Sequence, residues 1–133
     1  RLYNWDAVND IRGLAPEGWR IATAIDWQEL IDCLGDESEV GGKLKEAGYD
    51  HWVIPNEGAT DEVGFKALPG ALMTYSPFSN EYEVGYDGHW WTSTEDGLGS
   101  VWASSIVMTH ESAEIFMGST HKSQGFSVRC VRN

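Results

Sequence analysis

Apolar side chains recur at helical spacing over the first third of the chain. The clearest run consists of Ile25, Leu30, Ile31 and Leu34. Thr23 and Asp26 open this run in the arrangement of a capping box, with Asp in place of the usual Glu, and Gly35 follows it as a stop signal. The pattern predicts a helix between Thr23 and Gly35, and weaker patterns predict shorter helices over residues 4–11 and 40–45.

Alternation with a period of two replaces the helical pattern in the last third. Proline and glycine first break residues 52–70 into pieces that are too short for helices. Four extended runs then follow, at residues 89–94, 101–109, 113–119 and 124–132, and a short extended piece covers residues 19–21. Because the helices come first and most of the strands come later, the order predicts an α+β domain.

The last extended run returns the chain to its own core. Its two sides carry Phe126, Val128 and Cys130 on one face and Ser127, Arg129 and Val131 on the other. A strand with this pattern is stable only when it is paired with other strands. We therefore expect the C-terminal strand to lie in the sheet.

The composition is compatible with one packed domain over residues 1–133. It also disfavours several classes of binding partner. Hydrophobic residues make up 41% of the chain, and the formal net charge is −12. Such a charge disfavours nucleic acid and anionic membrane surfaces. No stretch reaches the roughly 18 apolar residues of a membrane span, so no direct membrane insertion is expected. The chain starts at Arg1 without a signal peptide, as expected of an excised domain or a mature product.

Two cysteines, Cys33 and Cys130, lie far apart in the chain. No Cys/His spacing typical of a zinc site surrounds them. Two alternatives stay open at this point. A disulfide would close a long loop and stabilise the fold by about 4–5 kcal/mol in the chain-entropy treatment. Otherwise both are buried free thiols.

A series of short motifs occurs in the order and spacing of one known family. These are RLYNW (1–5), PEGWRI (16–21), DW (26–27), LG (34–35), GKLK (42–45), GFKALPG (64–70), WWTSTE (90–95) and GFSVRCVR (125–132). In this combination the chain resembles the Fibrobacter succinogenes major paralogous domain family. The resemblance implies a C-type-lectin-like fold, related to the formylglycine-generating-enzyme type. In that fold two N-terminal helices pack on a small, twisted, mainly antiparallel sheet with long loops.

The same resemblance implies a location and bears on the cysteines. It implies a secreted or cell-surface module of Bacteroidetes-like bacteria, often a lipoprotein or one part of an adhesin. Family members usually carry Cys where this chain has Ala15, and that Cys is expected to pair with the one near the C-terminus. Lectin-like folds commonly tie their first long helix to the last strand, so a bond between Cys33 and Cys130 stays one of the two alternatives.

The histidines do not predict catalysis. His51, His89, His110 and His121 lie in predicted loops or at strand edges, without the spacing of a metal site or a triad. The formylglycine-generating enzymes use a pair of reactive cysteines, and the sequence does not carry that pair across. We therefore expect a protein that is not an enzyme.

One loop suggests calcium, because hard cations prefer several oxygen ligands gathered by irregular backbone. Its oxygen-bearing side chains are Asn56, Glu57, Asp61 and Glu62. No EF-hand spacing is present, and the calcium motifs of sugar-binding C-type lectins are absent. A solvated acidic loop is the alternative. No other cofactor is expected.

The tryptophans divide into core and undecided positions. Trp5, Trp19, Trp27 and Trp91 match the family pattern beside apolar neighbours and are predicted to be core. Trp102 shares its strand parity with Ile106 and Met108, so it is also predicted to be core. Trp90 is either a platform for a ligand or packed under the loop of residues 82–86.

A contact face is predicted in the C-terminal half, between residues 89 and 121. Small and polar residues alternate with core positions there, and Phe116 is expected to be exposed if Ile115 is buried. In retroelement-diversified members of the wider fold, this segment carries the variable ligand-contacting residues. The candidate positions are His89, Trp90, Glu95, Asp96, Ala103, Ser105, Val107, Thr109, Glu114, Phe116 and His121. An ordinary solvent-facing surface is the alternative.

These observations together predict an extracellular binding or adhesion module. Its ligand would be a carbohydrate or a protein on another cell or in the matrix, bound by aromatic and small polar side chains on a rigid sheet. A non-catalytic structural or tip domain of a larger bacterial surface assembly is the alternative function.

Overall fold

The computed structural model describes residues 1–70 and 84–133. The protein is α+β, as the order of the patterns predicts. Its helices are α1 (Trp5–Val8), α2 (Ala24–Leu34) and α3 (Glu37–Leu44). Its strands are β1 (Trp19–Ile21), β2 (Asp87–Glu95), β3 (Trp102–Thr109), β4 (Ile115–His121), β5 (Ser127–Val128) and β6 (Cys130–Arg132). The first predicted helix is a single turn that ends at Val8. The described residues contain three helices, whereas the resemblance implied two N-terminal ones. Within the described ranges, no helix has the length and apolar character needed to cross a membrane.

The strands form two sheets. The larger one has the order β4-β3-β2-β5, with β2, β3 and β4 antiparallel and β5 parallel to β2. The smaller one pairs β1 with β6. The predicted pairing of the C-terminal strand is confirmed, but the strand is divided between the sheets. Val128 lies opposite Trp91 in the larger sheet, and Cys130 lies opposite Ile21 in the smaller one.

Both faces of the larger sheet carry part of the core. Trp90 and Trp91 are both buried and point to opposite faces, as alternation along a strand requires. On the α2/α3 face, Trp90 packs with Trp27, Ile31, Val40, Leu44, Ile106 and Met108. On the α1 face, Trp91 packs with Trp5, Val8, Ile21, Ala103 and Phe126. One prediction packed Trp90 under the loop of residues 82–86. That loop lies partly outside the described residues.

Two tryptophans that were predicted to be core are exposed, so both predictions are wrong. Trp19 is 45% exposed, and only Ile21 of β1 is buried. Trp102 is 47% exposed, although it shares the α2/α3 face with Ile106 as its parity requires. It lies at the end of β3 where neither helix covers the sheet. Alternation therefore identified the face of Trp102 but not the extent of its cover.

Lys45 directly follows α3 and is fully buried. Its Nζ donates to the carbonyl oxygens of Glu57, Thr109 and Ser112 at 2.9, 2.8 and 2.8 Å. Burial lowers the pKa of Lys45 to about 8, so the side chain is mainly an ammonium at pH 7 and has one proton for each carbonyl. One side chain therefore joins the end of α3 to the loop at Glu57 and to the turn between β3 and β4.

The backbone of α3 also touches the turn between β3 and β4. The N–H of Gly42 donates to the carbonyl of Ala113 at 2.8 Å. A Cβ on Gly41 would lie 2.3 Å from the carbonyl oxygen of Glu114, and one on Gly42 would lie 2.3 Å from that of Gly58. Because no real Cβ sits so close to backbone, both positions require glycine.

Asp26 ties the start of α2 to β1. The predicted capping box is confirmed, and the Asp26 carboxylate accepts hydrogen bonds from the N–H and the hydroxyl of Thr23 at 2.7 and 2.6 Å. It also accepts a bond from the guanidinium of Arg20 at 2.7 Å. The hydrogen bond from Arg20 holds the pKa of Asp26 well below its usual range, although partial burial opposes this.

Cys33 and Cys130 are not bonded to each other, so the disulfide alternative is wrong. The core side of α2 is marked by Trp27 and Ile31, and Cys33 lies about 200° further around the helix from Ile31, in solvent. The expectation of a buried thiol is therefore also wrong for Cys33. Cys130 is half-buried and packs against the same cluster as Ala15.

We predict that Lys45→Met lowers the free energy of unfolding by about 3 kcal/mol, because three buried carbonyl oxygens lose their donor. Lys43→Met is the matched control. The Nζ of Lys43 also donates to a carbonyl, that of Leu34 at 2.8 Å, but its side chain is 25% exposed. It should cost about 1 kcal/mol or less. Urea unfolding followed by tryptophan fluorescence measures both values, and equal losses would contradict the role given to Lys45.

Asp26→Asn should destabilise the fold by about 1–2 kcal/mol at pH 7 through loss of charge-assisted bonds. Because the pKa of Asp26 is lower in the folded than in the unfolded chain, its stabilisation is complete above about pH 4 and declines as the pH falls further. The difference in melting temperature between the wild type and the variant should therefore shrink in acid. A difference that stays constant down to about pH 2 would rule this account out.

Alkylation of the folded protein should show different reaction rates for the two thiols. Cys33 should react quickly because it is exposed, and Cys130 slowly because it is half-buried and burial raises its pKa. Peptide mapping by mass spectrometry measures both rates, and denatured protein, in which both cysteines should react alike, is the control. Absence of labelling until a reductant is added would show that the thiols are bonded after all.

Candidate functional site

Three of the predicted contact residues are buried, so they are wrong as contacts. Trp90 packs on the α2/α3 face against Trp27, with ring centroids 6.3 Å apart. Ala103 and Ser105 lie under the α1 cluster, and the hydroxyl of Ser105 is hydrogen-bonded to that of Thr120 at 2.8 Å. The α1 helix and the closing segment therefore cover a part of β3 that the sequence analysis assigned to a ligand.

The remainder of the α1 face is more open. His89, Val107 and Phe116 form one cross-strand row, and Asp87 and Thr109 form the next; we call these two rows the open rows. Phe116 is 42% exposed while the residue before it is buried, which confirms the predicted orientation of β4. Val107 and Thr109 are half-buried. This part of the predicted face is thus apolar with a polar margin.

His89 is the member of the open rows that packs toward the core. Its ring stacks on Phe126 with centroids 4.8 Å apart. Its Nδ1 is buried and has no hydrogen-bond partner among the described residues. Burial lowers the pKa of His89, although Asp87 opposes the shift, so the ring is neutral at pH 7. His89 is therefore a packing residue more than a contact residue.

A second exposed surface lies at the opposite end of β3 and β4, on the α2/α3 face. Trp102 stands opposite His121, Ser104 opposite Ser119, and Met117 lies in the following row. The rings of Trp102 and His121 meet edge to face with centroids 5.6 Å apart. Met117 is 37% exposed, and Ser119 and His121 are exposed as well. The pleat of the strands places all five side chains on one surface.

An irregularity in β2 brings Asp96 to this surface. The register of β2 on β3 shifts just before Glu95, and such bulges redirect side chains. The N–H of Asp96 donates to the carbonyl of Trp102 at 3.1 Å, and its carboxylate accepts from the hydroxyl of Ser119 at 2.6 Å. Glu95 pairs with Lys122, which lowers the pKa of Glu95. Asp96 is therefore exposed and open to a ligand, whereas Glu95 is engaged.

Asp96, Ser104, Met117 and Ser119 border a shallow cleft of about 320 Å³, and the row of Trp102 and His121 lies next to it. The cleft is lined by Thr94, Glu95, Asp96, Ser104, Met117, Gly118 and Ser119. We call this cleft, with Trp102 and His121 at its end, the Trp102 cleft. Its rim at Thr94 is fixed to α2, because the Thr94 hydroxyl accepts from the N–H of Ala24 at 3.0 Å. An apolar ring face beside several hydroxyls and a carboxylate can bind a ligand that is itself amphipathic.

Of the predicted contacts, Glu95 and Asp96 line the cleft and His121 lies beside it, while Glu114 lies half-buried just before β4. The predicted contact residues did not include Trp102, Ser104, Met117 and Ser119. One signal was present: Trp102 lies three residues after the glycine-rich turn of residues 97–99, where β3 begins.

A larger cavity of about 420 Å³ lies between α2 and β6, and Trp27, Leu30 and Phe65 line it. Its one guanidinium is engaged by the protein itself. Arg129 donates to the carbonyls of Phe65 and Lys66 at 3.2 and 2.9 Å and lies 4.6 Å over the Phe65 ring. Because its polar groups hold the neighbouring loop, this cavity is a weaker candidate than the Trp102 cleft.

Three of the four predicted calcium ligands have another role. The amide of Asn56 donates to the carbonyls of Glu46 and Gly48. The carboxylate of Asp61 accepts from the N–H of Lys66, and Glu62 approaches Lys43 at 4.0 Å. Among the described residues, no group of three or more His, Cys, Asp or Glu side chains could hold a metal ion. The loop is thus organised by its own hydrogen bonds and ion pairs.

The comparisons with known proteins give one match. The family model of the Fibrobacter succinogenes major domain matches residues 1–132. No curated protein and no solved structure matches the chain. The motifs from Arg1 to Arg132 that suggested this family are therefore supported by a match along almost the whole chain. The chain belongs to the Fibrobacter succinogenes major domain family.

Proposed function

We propose that the chain is a secreted or surface-displayed, non-catalytic binding module with a C-type-lectin-like fold, and that its ligand is a carbohydrate held in the Trp102 cleft. The α+β architecture and the C-terminal strands paired in the sheets support that fold. The net charge of −12 supports an uncharged ligand over nucleic acid or an anionic membrane.

The exposed indole of Trp102 is the observation that carries the proposal. A sugar ring has an apolar C–H face and a rim of hydroxyl groups. The indole of Trp102 offers an apolar surface for that face. Ser104, Ser119 and the Asp96 carboxylate offer hydrogen-bond partners for the hydroxyls on the same side of the sheet.

The cleft is built on strands that are already held in place. Trp102 and Ser104 lie in β3, which is paired on both sides. Lys122, just beyond β4, lies 4.3 Å over the Trp5 ring and pairs with Glu95. A site on rigid strands loses little conformational entropy when it binds, so a small cleft can still give measurable affinity.

We predict that Trp102→Ala weakens binding of the preferred glycan by at least about tenfold, or about 1.4 kcal/mol. Trp19→Ala is the matched control, because Trp19 is nearly as exposed but belongs to the other sheet. A glycan array identifies the ligand, and isothermal titration calorimetry compares the two variants. Equal affinities for the two variants, or no glycan bound by the wild type, would overturn the proposal.

A protein ligand is the second candidate, and the open rows favour it because Phe116 is exposed beside Val107. A pull-down on extracellular proteins with Phe116→Ala and Trp102→Ala separates the two sites. Loss of a bound protein only with Phe116→Ala would assign recognition to the open rows. If neither variant changes any binding, the structural or tip role in a surface assembly replaces both.

A further inference from the structure

β4 is an edge strand: α3 lies against its start at Ile115, but no described part of the chain covers it from Phe116 to His121. It stands first in the order β4-β3-β2-β5, and five of its seven residues are exposed. Its sequence, Ile-Phe-Met-Gly-Ser-Thr-His, contains no Lys, Arg, Asp, Glu or Pro. Folded proteins usually protect such edges with charges, prolines or bulges, because an open edge pairs with other strands. The chain has a net charge of −12, yet this edge strand carries no charge. Its composition therefore indicates that another strand pairs with it.

The register identifies which backbone groups of β4 are open. The N–H of Lys122 donates to the carbonyl of Val101 at 2.9 Å, so this pair is a hydrogen-bonded row of the antiparallel ladder. Such rows alternate along the strands. The residues of β4 that bond to β3 are therefore Phe116, Gly118 and Thr120. Those that direct N–H and C=O away from the sheet are Ile115, Met117, Ser119 and His121.

We propose that a second copy of this chain pairs its own β4 antiparallel with this edge, about a two-fold axis at Gly118. Gly118 is the midpoint of β4. In this register Met117 lies opposite Ser119 of the second copy, and Ile115 lies opposite its His121. All the outward-facing backbone groups of β4 are then paired, as an isologous interface requires.

Charge and shape both favour a second copy in this orientation. Glu114 precedes β4 and Lys122 follows it, so antiparallel pairing sets each opposite its counter-charge, whereas parallel pairing would set like charges together. A Cβ at Gly118 would meet nothing within 4 Å, so the centre of the edge is open to close backbone approach. The pairing also brings no acidic side chain of one β4 against another.

The pairing joins two four-stranded sheets into a continuous one. Each Trp102 cleft lies on the α2/α3 face, so a dimer would present both clefts on one side of the joined sheet. That consequence alone rests on the proposed function, and two linked sites would raise avidity for a multivalent ligand. The pairing itself needs no ligand.

Sedimentation equilibrium without any ligand tests the pairing. The 14.8 kDa chain should approach twice its mass as its concentration rises a hundredfold. Met117→Lys should remain a monomer, because a lysine on the edge opposes strand addition. Ile25→Lys is the matched control, since it adds the same charge at an exposed apolar position on α2, and it should dimerise like the wild type. A wild type that stays monomeric throughout, or dimers formed equally by both variants, would overturn the proposal.

Two further measurements test the register. Amide exchange should show Met117 and Ser119 protected only at high protein concentration, while Phe116 and Gly118 are protected at every concentration. In a Cys33→Ser background, Gly118→Cys should form a disulfide between copies on mild oxidation, because directly opposed non-hydrogen-bonded residues lie about 4.5 Å apart. Ser119→Cys is the control and should not cross-link. Cross-linking of Ser119→Cys alone, or protection of Met117 at all concentrations, would contradict the register.

Discussion

The buried ammonium of Lys45 is the interaction on which the arrangement of the second half depends. Its three protons are donated to carbonyls from the loop at Glu57, the end of β3 at Thr109 and the turn at Ser112. A buried charge is costly unless all of its hydrogen bonds are made, so the end of α3, the loop at Glu57 and the β3–β4 turn hold one another in place. Gly41 and Gly42 allow α3 to lie directly against the same turn.

The position of this junction explains where the sheet is covered and where it is open. α3 meets the end of the sheet at which β3 stops and β4 starts, so Met108 and Ile115 are buried there. At the other end of the same two strands, none of the helices α1 to α3 lies above the α2/α3 face. Trp102 and Ser119 are exposed in consequence, and the Trp102 cleft forms where the cover ends. On the α1 face the arrangement is reversed, because α1 and Phe126 cover Ala103 and leave Phe116 exposed.

Features that depend on neighbouring residues were predictable from the sequence. The capping box at Thr23 and Asp26, the opposite faces of Ile115 and Phe116, and the paired closing strand all follow from local pattern. Features that depend on which helix lies above a strand were not predictable from the sequence. Period-two alternation placed Trp102 on the correct face and Ser105 on the other, but it carries no information on which helix ends above them. Lys45 could not be recognised either, because its three carbonyl partners are assembled only by the tertiary fold.

Under the proposed function, recognition takes place where an exposed indole adjoins hydroxyl-rich strands. The most direct test is a two-dimensional ¹H–¹⁵N spectrum of the labelled chain, titrated with the glycan that binds best. We predict chemical-shift changes for the Trp102 indole N–H and for the amides of Asp96, Ser104 and Ser119. The Trp19 indole N–H should not shift. Shifts centred on Val107 and Phe116, or on Trp27 and Phe65 beside the larger cavity, would contradict this prediction.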